Sequence, residues 1–397
     1  MTPAAPPASA PSHTEVSQRI GVIDGLRGFA LWGILVVNVF VFHAPYFYYG
    51  EFYTQFTGRE AIALETMILL FPGKFMYLFA FLFGYGAFLQ FSRWRSPGSF
   101  LPFWFRRMGM LAVFGGLHLL LFWMGDILFS YALLGFALPL FFKWRARFLF
   151  LAGFLLYFTS VGYSFFQFNL DWPAFHSHSD YPLTHFITVF SEGSYAEIFW
   201  LRLHEIQQFA FETVVYYLPR EGGLFLVGMA AAKVQLHQRL NWKIAWVPLL
   251  LALLGIISWN LTVDEIVAAA ELDTYPTRRP PLILLSTLAE WLHGASYILL
   301  FFLLWRWHLL QRLVRFLAPV GRMALSNYFF QSLVCVLVFY GYGAGQYGSW
   351  TPIELLVFAG LLYLFQAVVS IWWLKKYAMG PLEWLWRKAS YSFRSTK

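Results

Sequence analysis

One apolar run, RIGVIDGLRGFALWGILVVNVFVFH over residues 19–43, carries a carboxylate, a guanidinium, an amide and an imidazole. A charge at bilayer depth costs ~2.5–3.5 kcal/mol by insertion scales unless it is paired or faces water, so such residues mark either a polar clamp or a site. Asp24 and Arg27 are three apart, share a helical face and can pair. Asn38 comes eleven residues after Arg27, about three turns, and so returns to the same stripe ~16 Å higher. His43 closes the run at its outer end. Gly21, Gly25 and Gly28 remove side chains near the stripe and permit close helix approach. An amide at that depth suits a hydrogen bond to a developing oxyanion. The plain alternative is an interhelical clamp of Asp, Arg and Asn that serves packing alone.

A second run, RRMGMLAVFGGLHLLLFWMGD, repeats the spacing. His118 follows Arg107 by eleven residues on one stripe, Arg106 stands beside Arg107, and Asp126 comes just after the outer turn. A histidine near the outer surface with an acidic neighbour suits a general base held in one tautomer by its carboxylate. The plain alternative is a buried histidine bonded to a carbonyl. Glu290 and His293, three apart, face a common stripe of another run, where they would line a cavity or pair with each other. Lys74 near an outer helix end would snorkel. In PVGRMALSNYFFQS, Arg322 and Ser326 share one face and Asn327 and Gln331 another. Basic side chains and helix starts at such a border hold phosphate, although positive-inside anchoring accounts for any single arginine as well.

The elements that must position these groups are membrane helices. The chain is 59% apolar, 21% aromatic and 12% charged, where soluble domains run near ~45–50% apolar and ~25% charged. That excludes an ordinary soluble enzyme, a disordered chain and a coiled coil, and points to a polytopic membrane protein. Cys335 is the only cysteine, so no intrachain disulfide forms. Apolar spans are predicted at about 20–42, 62–91, 107–123, 126–142, 148–167, 221–236, 244–262, 282–305, 321–342 and 352–374. The segment 195–219, with Arg202, Glu205 and Glu212 among aromatics, reads as an interfacial or re-entrant helix. With ten spans the basic loops all fall on one side: Arg93 to Arg107, Lys143 to Arg147, Lys233 to Lys243, Arg306 to Arg315, and the cluster from Lys375 to Lys397. The expectation is therefore an all-α, polytopic integral membrane helical bundle of about ten transmembrane helices with both termini cytoplasmic. Residues 1–18 are expected to be a disordered lead, 19–387 a single transmembrane domain with an outer-side insertion at 168–220, and 388–397 a cytoplasmic tail. The insertion's Asp171, His176, His178, Asp180, His185 and Glu192 are irregularly spaced and read as a solvated loop, so no metal is expected. No P-loop, nucleotide fingerprint or zinc-protease motif stands in a supporting context, and nucleic acid is not an expected partner.

The stretches IDGLRGFALWGILVVN, KFMYLFAFLFGYG, RRMGMLAVFGGLHLLLFWMGDILFSYALLG, GRMALSNYFFQS and GPLEWLWR, in that order, resemble the YeiB-like family of bacterial inner-membrane proteins, a domain of unknown function. That family is similar in its first helix to lysosomal heparan glucosaminide acetyltransferase and belongs with the transmembrane acyltransferases. The resemblance implies a transferase of the bacterial cytoplasmic membrane that takes an acyl group, an acetyl group above all, from acyl-CoA on the cytoplasmic side. Its acceptor would be a sugar, lipid head group or peptide at the outer face. Asn38 matches the acetyltransferase's asparagine late in the first helix, and His118 fits the YeiB-like GGLH…GDIL stretch, with His43 as a second candidate base. The expected catalytic set is His118, Asp126, Asn38 and His43. Acyl-CoA (acetyl-CoA) is the donor, held by Arg27, Arg106, Arg107, Arg322 and Asn327, while Asp24, Glu290 and His293 are structural polar residues. The bilayer is the other expected partner, and a homodimer is compatible with these features. The rival reading is a transporter of a small amphiphile or anion that uses the same stripe as a relay.

Overall fold

A computed structural model describes residues 21–94, 99–169, 181–271 and 280–391. Asp171, His176, His178 and Asp180 of the expected outer loop lie outside the described residues. The described chain is all-helical: α1 (Gly21–His43), α2 (Tyr49–Thr54), α3 (Gly58–Leu70), α4 (Lys74–Ser92), α5 (Phe100–Leu121), α6 (Leu128–Ala137), α7 (Ala146–Asn169), α8 (Leu183–Glu192), α9 (Tyr195–Glu212), α10 (Leu218–Lys233), α11 (Leu236–Arg239), α12 (Trp246–Glu271), α13 (Pro280–Arg306), α14 (Gln311–Arg322), α15 (Ala324–Phe339), α16 (Pro352–Lys376) and α17 (Pro381–Tyr391).

Apolar composition and length make four stretches able to cross a membrane: Gly21–His43, Gly58–Ser92, Pro281–Arg306 and Pro352–Lys376. The pair α14 and α15, bent by 77° at Met323, makes a fifth if it is one span. Each expected span falls on a helix, but not every helix is long enough to cross. The stretch expected at 126–142 is the ten-residue α6 followed by one 3-10 turn, and ten residues rise only ~15 Å against a ~30 Å core. The expected span 62–91 is broken between α3 and α4, where Gly73 sits at φ +76° just after Pro72, a conformation that glycine adopts without strain. Lys74 does not snorkel at this break: it is 1% exposed, bonds the Ile68 carbonyl at 3.3 Å and lies over the Trp259 ring. Segment 195–219 holds α9, started by a Ser194–Glu197 capping box, and a π-helical turn at Thr213–Tyr217 that runs on into α10.

α1 lies at the centre. It packs most extensively on α14 and also on α4, α16 and α15. The expected glycine seam is real and identifies its partner. A Cβ at Gly28 would stand 2.2 Å from the Leu317 carbonyl oxygen, and one at Gly321 only 2.0 Å from that of Asp24, whereas Gly21 meets nothing within 4 Å. Backbones touch there because no side chain intervenes. α4 and α10 meet the same way through Gly84 and Gly228. α16 turns Val357, Leu361, Leu364, Phe365, Val368 and Trp372 outward, a helical stripe suited to lipid rather than water.

Candidate functional site

α5 delivers His118 in its last turn and ends at Leu121. The chain then reverses through residues 122–127 into α6. Gly115 permits the reversal: a Cβ there would be 2.2 Å from the Phe129 nitrogen. Asp126 precedes α6, and its Oδ2 accepts the Phe129 N–H at 2.7 Å. A carboxylate at a helix start relieves an unpaired donor and complements the dipole. Its other oxygen, Oδ1, lies 2.9 Å from His118 Nδ1, with both side chains fully buried. The approach is off the N–H axis, and neither atom has a hydrogen-bond partner among the described residues.

The third member comes from far along the chain. Ser332 of α15 places its Oγ 2.7 Å from His118 Nε2 and 3.3 Å from the carbonyl of Tyr328, one turn earlier. In the tautomer with its proton on Nδ1, Nε2 accepts and the serine hydroxyl donates. This is the order carboxylate, imidazole, hydroxyl that activates serine nucleophiles on unrelated folds. Phe122 stacks on the imidazole at 5.7 Å between centroids, Tyr328 lies tilted at 4.8 Å and Phe329 edge-on at 5.1 Å. Phe122 and Phe329 are only half-buried, whereas His118 is fully buried.

Around this line lies more buried polarity. Tyr131 of α6, Tyr328 of α15 and Glu221 of α10 lie within electrostatic reach of one another, and Asp126 within reach of Tyr328 and Glu221. The Tyr131 hydroxyl and Glu221 Oε2 are buried without a hydrogen-bond partner among the described residues, and Tyr328 interacts with the backbone of Ile127. Each such unpaired atom costs ~1–3 kcal/mol, and their gathering at one place calls for an explanation beyond stability.

The other expected residues fall elsewhere. His43 is fully buried. Its Nε2 accepts the Trp350 N–H at 2.9 Å, and its Nδ1 faces the Tyr53 hydroxyl at 3.3 Å, which itself bonds the Phe40 carbonyl. Engaged at both nitrogens, it clamps the top of α1 to the loop before α16. Asn38 is half-buried and no hydrogen bond joins it to His118. α1 and α5 are not extensively packed on each other. Between them stands α15, which touches α1 and carries Ser332 to His118. Asp24 and Arg27 pair at 2.7 Å as expected from their spacing. Glu290 pairs not with His293 but with Arg220, which also reaches the hydroxyls of Tyr157 and Tyr216. His293 packs over Gly255 of α12.

The arginines gather on the C-terminal helix. Arg107 lies 3.6 Å over the Trp386 ring, whose indole N–H bonds the Arg107 carbonyl at 2.8 Å. Arg106 reaches the Ser390 carbonyl at 3.4 Å and Arg322 that of Ala378 at 3.0 Å. Arg27 and Arg387 are both electrostatically coupled to Arg107. The start of α15 is occupied by Glu383, which accepts the N–H of Leu325 at 2.7 Å and of Ser326 at 3.1 Å, together with the Ser326 hydroxyl. Asn327 bonds the Val320 carbonyl at 3.2 Å and Ser370 at 3.0 Å, and so ties the bend to α16.

Sequence reasoning missed Ser332, Tyr131, Tyr328, Glu221, Arg220 and Arg387. Ser332 did lie in the FFQS stretch of the resemblance, but no local spacing links it to His118, 214 residues away.

The fold and this cluster define a helical membrane protein with a buried carboxylate–imidazole–hydroxyl line. Residues 231–393 match a family described as "Protein of unknown function (DUF418)". The chain is 31% identical over 420 residues to the uncharacterized protein YxaH of Bacillus subtilis, covering 95% of this chain and 96% of that one. It is 27% identical over 409 residues to the uncharacterized protein YeiB of Escherichia coli, covering 94% and 96%. The chain belongs to the YeiB-like family. No solved structure matches it.

Proposed function

We propose that this protein is a transmembrane acyltransferase, moving an acyl group from acyl-CoA on the cytoplasmic side to an acceptor at the outer face. The observation that carries this reading is the fully buried contact of Asp126 with His118, whose other nitrogen meets a hydroxyl. In that setting His118 is the general base that deprotonates the acceptor hydroxyl or amine, and Asp126 is the positioning residue that fixes its tautomer. Arg107, Arg27 and Arg106, with Arg387 and Arg322 nearby, form the basic end that would receive the coenzyme's phosphates. Arg107 and His118 are eleven residues apart on one helix, ~16 Å along its axis, a span suited to an extended pantetheine arm. The resident contacts of α17 with Arg106, Arg107 and Arg322 mean that this helix would shift to admit the phosphates. His43 and Asn327 have structural hydrogen bonds and are left out of the machinery, as is Asn38. A place in the inner membrane with both ends of the chain cytoplasmic completes the reading.

The rival is a carrier for a small anion or amphiphile. It is favoured by a second ionic group, buried Arg220 with half-buried Glu290 and the nearby Lys74, because intramembrane charges also mark transport pathways. Titration of the purified protein with acetyl-CoA separates the two. Saturable binding weakened at least tenfold in Arg107→Ala, with acetyl transfer to a membrane extract reduced ~10²–10⁴-fold in His118→Ala, is the expected result. Absence of binding, with substrate flux into liposomes, overturns the transferase reading.

A further inference from the structure

Resting on the acyl-transfer reading, we infer that Ser332 is a catalytic residue, the nucleophile that carries the acyl group between donor and acceptor. Membrane serines commonly bond the carbonyl one turn earlier, and Ser332 does lie 3.3 Å from that of Tyr328. Its contact with His118 Nε2 is much shorter, 2.7 Å, and lies on the far side of the ring from Asp126. A serine that merely filled space would not need a histidine whose opposite nitrogen meets a buried carboxylate. Ser332 is also 1% exposed, which keeps water from an acyl-enzyme. Tyr328, one turn before it on the same face of α15, packs its ring against the imidazole at 4.8 Å between centroids and carries a phenol, a donor suited to a tetrahedral oxyanion.

The chemistry balances without an oxidant or a metal. Ser332 Oγ adds to the thioester carbonyl as its proton passes to His118 Nε2. The carbon–sulfur bond breaks, and the departing thiolate takes that proton, leaving an acyl ester on Ser332 and a free thiol. The acceptor's hydroxyl or amine then gives its proton to Nε2 and attacks the ester. Ser332 leaves and recovers the proton. Donor and acceptor thus use the site in turn rather than together, which suits two substrates that arrive from opposite faces.

The test uses the full-length chain purified in detergent, with two reagents. A fluorophosphonate probe, which needs only an activated serine, should label one site that peptide mass mapping assigns to Ser332. Labelling should be lost in Ser332→Ala and slowed at least 100-fold in His118→Ala. Acid quenching with radiolabelled acetyl-CoA and no acceptor should trap up to one acetyl per chain on Ser332. Ser332→Cys should trap it as a thioester released by neutral hydroxylamine, a signature that a structural serine does not give. Ser332→Ala should still fold and melt cooperatively, its midpoint lowered only by the loss of the His118 Nε2 partner. Labelling of Ser332 by the probe together with an inert acetyl-CoA supports the nucleophile and overturns acyl-CoA as donor. Acetyl transfer by Ser332→Ala within threefold of wild type overturns the nucleophile and leaves the transferase standing, with direct transfer at His118. Failure of both reagents to label Ser332 in the wild type also overturns it.

Discussion

His43 and His118 both stand near the outer ends of apolar helices, and their types and positions alone do not separate them. Their partners do. Backbone and phenol saturate His43, and a carboxylate and a hydroxyl flank His118. Removing the His43 ring leaves the Trp350 N–H buried and unpaired, so His43→Ala should destabilise the fold by ~1–3 kcal/mol while the folded fraction keeps its turnover. Denaturant melts and specific activity per folded molecule measure the two effects. Asp126→Asn is the reverse experiment. The amide oxygen still caps α6, so stability should move by less than ~1 kcal/mol, but the imidazole loses its fixed tautomer. Turnover should drop ~10²–10⁴-fold, and unchanged turnover would remove Asp126 from the site. Asp24 with Arg27, and His118 with Asp126, were legible in the sequence because helix geometry or a single turn links them. Ser332 was not, because its approach depends on how α15 is bent and seated. The partner of Glu290 was hidden for the same reason: spacing offered His293, and packing supplied Arg220.

Small residues and bends set the element scale. α5 and α6 are antiparallel neighbours only because Gly115 lets the start of α6 come within contact of α5. Gly115→Ala forces that junction apart and should cost ~1–3 kcal/mol by overpacking. It should also depress turnover, since Asp126 moves with the start of α6. A variant as stable and as active as wild type would show that the junction does not position the carboxylate. The helical runs and the glycine seam were readable from composition and period. The partner of that seam, α14, was not. Nor was the break at Gly73 placed, because an apolar run reads alike whether it continues or turns. The short α6 was also taken for a full crossing, since hydrophobicity reports burial and lipid contact alike.

For the molecule as a whole, the alternation of basic and nonbasic loops makes a prediction that side-chain geometry does not. Fusion of green fluorescent protein after residue 391 should fluoresce. Alkaline phosphatase inserted in the segment 340–351, between α15 and α16, should be active, and after 391 inactive. Inverted activities would overturn the expected orientation and with it the cytoplasmic arrival of the donor. Fold class was the most legible property of the chain, since a charged fraction of 12% leaves few alternatives to lipid.

α17 holds together helices that are made at very different times. Its Glu383 seats the start of α15, and its Trp386 grips α5 through Arg107. Of all the described helices it is translated last. A nascent chain therefore has its serine and its histidine in the membrane before the latch that aligns them has left the ribosome. On the acyl-transfer reading, a molecule stalled or trimmed before residue 381 should be inserted yet inert.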